Sequence, residues 1–191
     1  MNIDNWAPIP IGWVDNPDKD TVKNKLENIC LNLKEKTESE KDWVSQSIYT
    51  SINSHDVYQD KDFDILNIWV DEKIEEFKEQ LKIKNDLFCS GGWFNIYEKY
   101  DYQEFHQHKG HDLSAVYFLK TNTEGPKLIF ENPTNDVFTL NTEFDNFAPR
   151  FFYESLEGRL VIFSSNLRHC VEQHLQEDKR ITLAYNYNKK V

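Results

Sequence analysis

The chain has 191 residues, of which 39% are hydrophobic and 29% are charged, and its net charge is −11. This length and composition predict a soluble globular protein with a hydrophobic core. No apolar run approaches the roughly 20 residues that span a membrane, and no signal-peptide pattern begins the chain, so the cytoplasm (of a host cell, if the sequence is viral) is the expected location. The acidic charge without a basic block argues against nucleic acid as a partner, whereas a small anionic ligand needs only one or two local cations.

Two amphipathic helices are predicted in the first half of the chain. Residues 1 to about 18, which contain several tryptophans and prolines, are interpreted as an extended or looping lead-in. Apolar residues at helical spacing then predict a helix over about 21–36 and a longer one over about 61–82, with a short strand near 47–50 between them. Both helices are expected to pack on the outside of a sheet.

From residue 87 onwards the pattern changes to short segments rich in β-branched and aromatic residues. In the last of them, Ile181, Leu183, Tyr185 and Tyr187 alternate with Arg180, Thr182, Ala184, Asn186 and Asn188. Helices followed by strands predict a mainly β fold with flanking helices, a two-sheet antiparallel jelly roll (double-stranded β-helix). We expect a single domain, with a mostly helical support region over 1–86 and a jelly-roll core over 87–191. The strands are predicted near 87–98, 102–108, 112–120, 126–132, 136–141, 149–154, 159–164, 168–174 and 179–189.

A cluster of histidines marks the predicted metal site. His106 and His108 are two residues apart, so on a strand both side chains project from the same face. His169 follows the predicted strand 159–164 and a short turn, from which it can face this pair. Three neutral imidazoles can hold Fe(II), Zn or another first-row divalent ion and leave positions open for substrate or water. His111, which follows Gly110 in a turn, is expected to be an exposed loop residue or a substrate contact.

Arg180 supplies a cation near the predicted metal site. It begins the last predicted strand on the polar face, where a lone arginine is costly to bury unless an anion meets it. A dicarboxylate co-substrate that chelates the metal at one end would place its other carboxylate against this guanidinium as a bidentate ion pair. Thr182, two positions further on, could add a hydrogen bond from its hydroxyl.

The order of these motifs resembles the catalytic half of the 2-oxoglutarate/Fe(II)-dependent oxygenases. The H-x-H pair is followed by an apolar strand, Gly-Pro-x-Leu-x-Phe, Glu-Gly-x-Leu-Val-x-Phe, the later histidine and Arg-x-Thr. The resemblance covers roughly Gly92 to Tyr187 and is closest to the prolyl-4-hydroxylase-like branch, especially the 2-oxoglutarate oxygenases common in marine phages and bacteria. It implies a dioxygenase that uses Fe(II), 2-oxoglutarate and O2 to hydroxylate a C–H bond, with peptidyl proline as the first guess, and that releases succinate and CO2.

The resemblance also implies roles for single residues. It makes His106 and His169 iron ligands and Arg180 the anchor for the C5 carboxylate of 2-oxoglutarate, with Thr182 as the hydroxyl of the R-x-S/T element. The further residues that we expect at the co-substrate pocket are Tyr97, Ser114 and Tyr117.

Position 108 departs from the pattern of the wider superfamily, in which Asp or Glu is usual there and completes a 2-His-1-carboxylate triad. We prefer direct ligation by His108, since its spacing from His106 requires no distortion. Two alternatives stay open: Asp112 folds back to supply the carboxylate, or the site is degenerate and holds iron weakly or not at all.

Two other functions also fit the sequence, namely a zinc-dependent hydrolase or hydratase with a three-histidine site and a non-enzymatic β-sandwich binding or virion protein. The substrate is expected to be a small molecule or a protein or peptide. Its selectivity is expected to lie in the loops 121–127 and 142–150 and in the N-terminal lead-in. The sequence names neither the substrate nor an oligomeric state.

Overall fold

A computed structural model of the protein describes residues 9–39, 43–45, 47–122, 124–134 and 148–190. Within these residues the chain forms two antiparallel sheets and two α-helices. The larger sheet has the strand order β1 (Ile11–Asp15), β8 (Arg159–Ser164), β5 (Leu113–Lys120), β10 (Arg180–Lys189), β3 (Leu87–Tyr97) and β2 (Tyr49–Thr50). The smaller sheet has the order β4 (Gln103–His106), β9 (His169–Val171), β6 (Leu128–Glu131) and β7 (Arg150–Tyr153).

The helices cover one face of the larger sheet, as the sequence predicted. Helix α1 spans Lys19–Lys34, and α2 spans Asp64–Leu81 after a 3-10 turn at Lys61–Phe63. Helix α2 ends where Lys82 adopts a left-handed conformation with φ of 56°, which lets its N–H bond back to the carbonyl of Glu79 at 3.1 Å. None of the helices in the described part of the chain is long and apolar enough to cross a membrane.

Strand β10 separates two apolar cores because its side chains alternate between the two faces of the larger sheet. One core lies between that sheet and the helices and includes Leu26 and Val70. The other lies between the two sheets and includes Phe118 and Phe130. The predicted alternation of β10 is confirmed: its apolar residues Ile181, Leu183, Tyr185 and Tyr187 join the helix-side core, and its other face, with Arg180, Thr182, Ala184 and Asn186, lines a cavity.

The jelly-roll architecture is confirmed, and one strand lies where the sequence predicted a lead-in. Residues Ile11–Asp15 form the edge strand β1, which pairs with β8 from Ile11 opposite Phe163 to Asp15 opposite Arg159. Its partner lies far along the chain, so no local pattern marks this pairing. The predicted strand 136–141 and most of the predicted selectivity loop 142–150 lie outside the described residues.

Candidate metal centre

Three histidines converge at one end of the cavity between the sheets. His106 closes β4 and is the register partner of His169, which begins the neighbouring strand β9, and His108 follows β4. One ring nitrogen from each residue lies within 4.8 Å of those from the other two. The ring centroids of His106 and His169 are 4.2 Å apart, and those of His108 lie 5.0 Å from His169 and 5.4 Å from His106. The predicted trio is therefore brought together by the fold.

Hydrogen bonds orient all three imidazoles in the same way. Nδ1 of His106 lies 2.7 Å from the carbonyl oxygen of Glu104, and Nδ1 of His169 lies 2.8 Å from that of Leu167. Nδ1 of His108 lies 2.7 Å from Oδ1 of Asn186. Because these oxygens only accept, each Nδ1 carries the proton, and the lone pair of each Nε2 is available to a metal.

Burial favours the neutral form of the three rings, which is the form that binds metals. Desolvation lowers the pKa of His106, and it lowers the pKa of His108 to about 4. The pKa of His169 lies well below its usual value because of its burial, and the neighbouring His106 and His108 lower it further. Three neutral nitrogen donors that leave further coordination positions open are a ligand set that suits Fe(II).

Asp112, the alternative third ligand, points away from this cluster. Its side chain is 42% exposed, its carboxylate accepts a hydrogen bond from the backbone N–H of Lys189 at 2.8 Å, and the Lys189 ammonium lies 3.9 Å away. The structure therefore brings His108, and not Asp112, to the other two histidines.

Arg180 is a buried cation without a counter-ion among the described residues. The residue is 1% exposed, and its guanidinium lies 4.5 Å from the centroid of the Tyr97 ring and 5.4 Å from that of Phe118. Its Nη2 donates to Oγ of Ser155 at 3.3 Å, whereas Nε and Nη1 have no hydrogen-bond partner. Burial lowers the pKa of Arg180, yet a guanidinium keeps its proton in proteins. Two unused donors on a buried cation fit a carboxylate ligand.

A cavity of about 440 Å³ contains both Arg180 and the three histidines. Thr182, Asn95 and Tyr97 contribute to its walls, and the Tyr97 hydroxyl donates to Oε1 of Gln103 at 2.6 Å. Two indoles stand beside the histidines: the ring of Trp43 lies 4.8 Å from that of His106, and the ring of Trp93 lies 5.5 Å from that of His108. The described residues that line the cavity include no Asp or Glu, although the whole chain is strongly acidic.

Two of the predicted pocket residues lie elsewhere. Ser114 is buried beneath His108, with its Oγ 2.9 Å from the Nδ1 of that ring, so it contacts a histidine and does not line the cavity. The expectation for Tyr117 is wrong. Its side chain belongs to the helix-side core, with its ring 6.0 Å from that of Trp69, because on β5 it is Val116 and Phe118 that face the cavity.

Several site residues were not predicted from the sequence. Asn186 could have been found from the alternation of the last strand, because it shares a face with Arg180 and Thr182. Asn95, whose buried Oδ1 has no partner, lies opposite Thr182 in the sheet register. Trp43 comes from the segment before β2, and its sequence neighbours carry no signal of a site.

The family model described as "Putative 2OG-Fe(II) oxygenase" matches residues 91–186, which is half of the chain. This range includes all three histidines and Arg180. The chain belongs to the 2-oxoglutarate/Fe(II)-dependent oxygenases. It is therefore a dioxygenase whose cofactor is Fe(II) and whose co-substrates are 2-oxoglutarate and O2. This membership excludes the zinc-hydrolase and non-enzymatic interpretations of the sequence.

Solved structures share the fold of this oxygenase over nearly its whole length. A prolyl-4-hydroxylase from Pseudomonas putida is 16% identical with a TM-score of 0.68, and the match covers 96% of this chain and 94% of that one. The viral collagen prolyl hydroxylase of Paramecium bursaria Chlorella virus-1, solved with 2-oxoglutarate, is 12% identical with a TM-score of 0.63, over 95% of this chain and 96% of that one. A Trichoplax adhaerens prolyl hydroxylase bound to a peptide of hypoxia inducible factor is 10% identical with a TM-score of 0.64, over 93% and 83%. No curated protein matches the sequence.

Proposed function

We propose that this oxygenase binds Fe(II) through His106, His108 and His169 and hydroxylates a C–H bond of a peptide substrate, with proline as the first residue to test. The observation that carries the proposal is the shared cavity, which is lined both by three histidines with ring nitrogens within 4.8 Å of one another and by a buried arginine with two unused donors. When bound, Fe(II) with 2-oxoglutarate and O2 supplies the oxidising power for an unactivated C–H bond, and succinate and CO2 are the co-products.

In this proposal Arg180 binds the C5 carboxylate of 2-oxoglutarate with its guanidinium, whose Nε and Nη1 have no other hydrogen-bond partner. Thr182 lies two residues further along the same face of β10 and offers a hydroxyl, and Tyr97 packs against the guanidinium. Apolar walls from Val116, Phe118, Leu128 and Val171 surround these groups. They keep the local dielectric low, so the ion pair is stronger than it would be in water.

The substrate proposal rests on the part of the cavity next to the histidines. The indoles of Trp43 and Trp93 stand beside His106 and His108, and aromatic faces of this kind accommodate an apolar ring such as pyrrolidine. The absence of acidic residues from the described lining favours a neutral or anionic segment over a cationic one. The fold likeness to prolyl hydroxylases that act on proteins agrees with a peptide substrate.

Aerobic incubation with Fe(II), 2-oxoglutarate and a library of proline-containing peptides tests this function, with mass spectrometry as the readout. We expect a gain of one oxygen on proline, and no gain in matched peptides that carry alanine there. His169→Ala should abolish both peptide oxidation and succinate release. The matched control is His55→Ala, because His55 pairs with Asp60 at 2.9 Å and lies outside the cavity lining.

The possible outcomes separate the parts of the proposal. Oxidation that persists in His169→Ala would refute the ligand assignment. Succinate release without any oxidised peptide would refute proline as the target and leave the oxygenase activity intact. An unaltered protein that binds no Fe(II) under anaerobic conditions would support the degenerate site.

A further inference from the structure

His108 differs from the other two histidines in what orients it. Backbone carbonyls two residues earlier in the chain hold His106 and His169, so the local backbone of β4 and of the turn before β9 fixes those rings. The acceptor for Nδ1 of His108 is instead a side chain, Oδ1 of Asn186, at 2.7 Å. Asn186 comes from the other sheet and is 7% exposed. The orientation of His108 therefore depends on side-chain acceptors, of which the Asn186 amide makes the shortest contact.

Two serines hold that amide in place. Oγ of Ser114 donates to Oδ1 of Asn186 at 2.8 Å and lies 2.7 Å from Oγ of Ser165. The backbone N–H of His108 in turn donates to the carbonyl of Ser165 at 2.9 Å. The hydrogen bonds close a ring through His108, Asn186, Ser114 and Ser165, and all but His108 are almost fully buried.

The donors and acceptors in this ring of hydrogen bonds allow only one placement of the protons around His108. Oδ1 of Asn186 accepts only, and the single hydroxyl proton of Ser114 goes to that oxygen. The proton shared with the imidazole must then sit on Nδ1 of His108, where Oγ of Ser114 at 2.9 Å is a second acceptor. This network of hydrogen bonds consequently keeps Nε2 of His108 deprotonated, so its lone pair is available to a metal.

We propose that Asn186 is a positioning residue that makes His108 an iron ligand, at the position where the wider superfamily usually has a carboxylate. The inference rests on the proposed three-histidine site. In this role the neutral amide of Asn186 orients the neutral imidazole of His108, so neither the ligand at this position nor the group that orients it carries a negative charge. Groups that orient a metal-bound histidine in this way commonly change metal affinity about 10–100-fold when removed.

Asn188 provides a matched control on the same strand. It lies two residues further along the same face, and its Oδ1 is 3.2 Å from Nδ1 of His111, which is not part of the metal cluster. The two asparagines thus make the same kind of contact, Asn186 to the proposed ligand His108 and Asn188 to His111, which is outside the metal cluster. Identical substitutions at both positions separate metal positioning from a general effect on β10.

The test measures anaerobic Fe(II) affinity and the visible absorption band of the Fe(II)–2-oxoglutarate complex in the full chain. Asn186→Leu should weaken Fe(II) binding about tenfold, since Ser114 can take over as the acceptor, and Asn186→Leu with Ser114→Ala should approach about 100-fold. Asn186→Asp should keep the affinity and move the band to longer wavelength, because a carboxylate makes the imidazole a stronger donor to the metal. Asn188→Leu and Asn188→Asp should change neither quantity.

Each other outcome counts against the inference. Unchanged Fe(II) affinity in Asn186→Leu, an unshifted band in Asn186→Asp or an equal effect of the Asn188 variants would overturn it. If Asn186→Leu does not fold, the wavelength of the absorption band in the nearly isosteric Asn186→Asp variant still tests the inference. His169→Ala is measured alongside. If His169→Ala binds Fe(II) normally, both the proposed metal site and the inference about Asn186 are wrong. If His169→Ala loses Fe(II) affinity and Asn186→Leu does not, only the inference about Asn186 is wrong.

Discussion

Arg180→Met should stabilise the ligand-free protein and abolish its response to 2-oxoglutarate. The guanidinium is 1% exposed, and two of its nitrogens have no hydrogen-bond partner. A buried charge without a partner costs several kcal/mol, and a well-packed apolar side chain of similar length avoids that cost. The aromatic contacts to Tyr97 and Phe118 recover up to about 2 kcal/mol.

The remaining penalty sets the expected size of the effect. We expect Arg180→Met to raise the free energy of unfolding of the metal-free, ligand-free protein by about 1–4 kcal/mol. For a chain of this length about 2 kcal/mol corresponds to a rise in Tm of roughly 4–8 °C. With Fe(II) present, 2-oxoglutarate at about 100 times its Kd should stabilise the unaltered protein by a further 2.7 kcal/mol or so. The methionine variant should show none of that gain.

Thermal unfolding under anaerobic conditions measures both effects, in a buffer free of carboxylates and phosphate. Arg180→Lys keeps the charge but loses the planar fork, so it should retain the response only at higher 2-oxoglutarate concentrations. Arg159→Met is the matched control: this arginine pairs with Asp15 at 2.7 Å and stacks on Trp13, outside the cavity. An Arg180→Met protein that is less stable without ligand, or that still responds to 2-oxoglutarate, would refute the reasoning.

Two further predictions concern the third ligand and the fold. Asp112→Ala should leave Fe(II) affinity within about twofold of the unaltered protein, because its carboxylate bonds to backbone at the surface; a large loss in an anaerobic titration would restore the Asp112 alternative. Gly110→Ala and Gly158→Ala both place a side chain at positive φ, of 91° and 86°, which costs about 1–2 kcal/mol. Only Gly158→Ala also brings a Cβ within 2.5 Å of Lys19, so denaturant unfolding should show it to be the less stable variant. Equal losses would contradict that packing argument.

The sequence predicted most of the fold because periodicity is a local property. The alternation of the last strand placed Arg180 and Thr182 on one face and the apolar residues on the other, and the helical spacing located both helices to within a few residues. Periodicity failed for β1, where five residues are held by a strand from the far end of the chain. It also failed for Tyr117, whose face depends on which side of β5 the helices cover.

For the functional site, too, the sequence was enough for some features and the tertiary structure was needed for others. The sequence by itself determined that three histidines and a lone arginine occur at spacings that suit an iron and 2-oxoglutarate enzyme, since residue type and order along the chain are enough to recognise that pattern. Only the tertiary structure decided that His108 rather than Asp112 stands beside the other histidines, that Arg180 is buried without a counter-ion, and that Asn186 orients His108. Each of these depends on contacts between segments that are distant in the chain, and packing of the two sheets against each other is what creates those contacts.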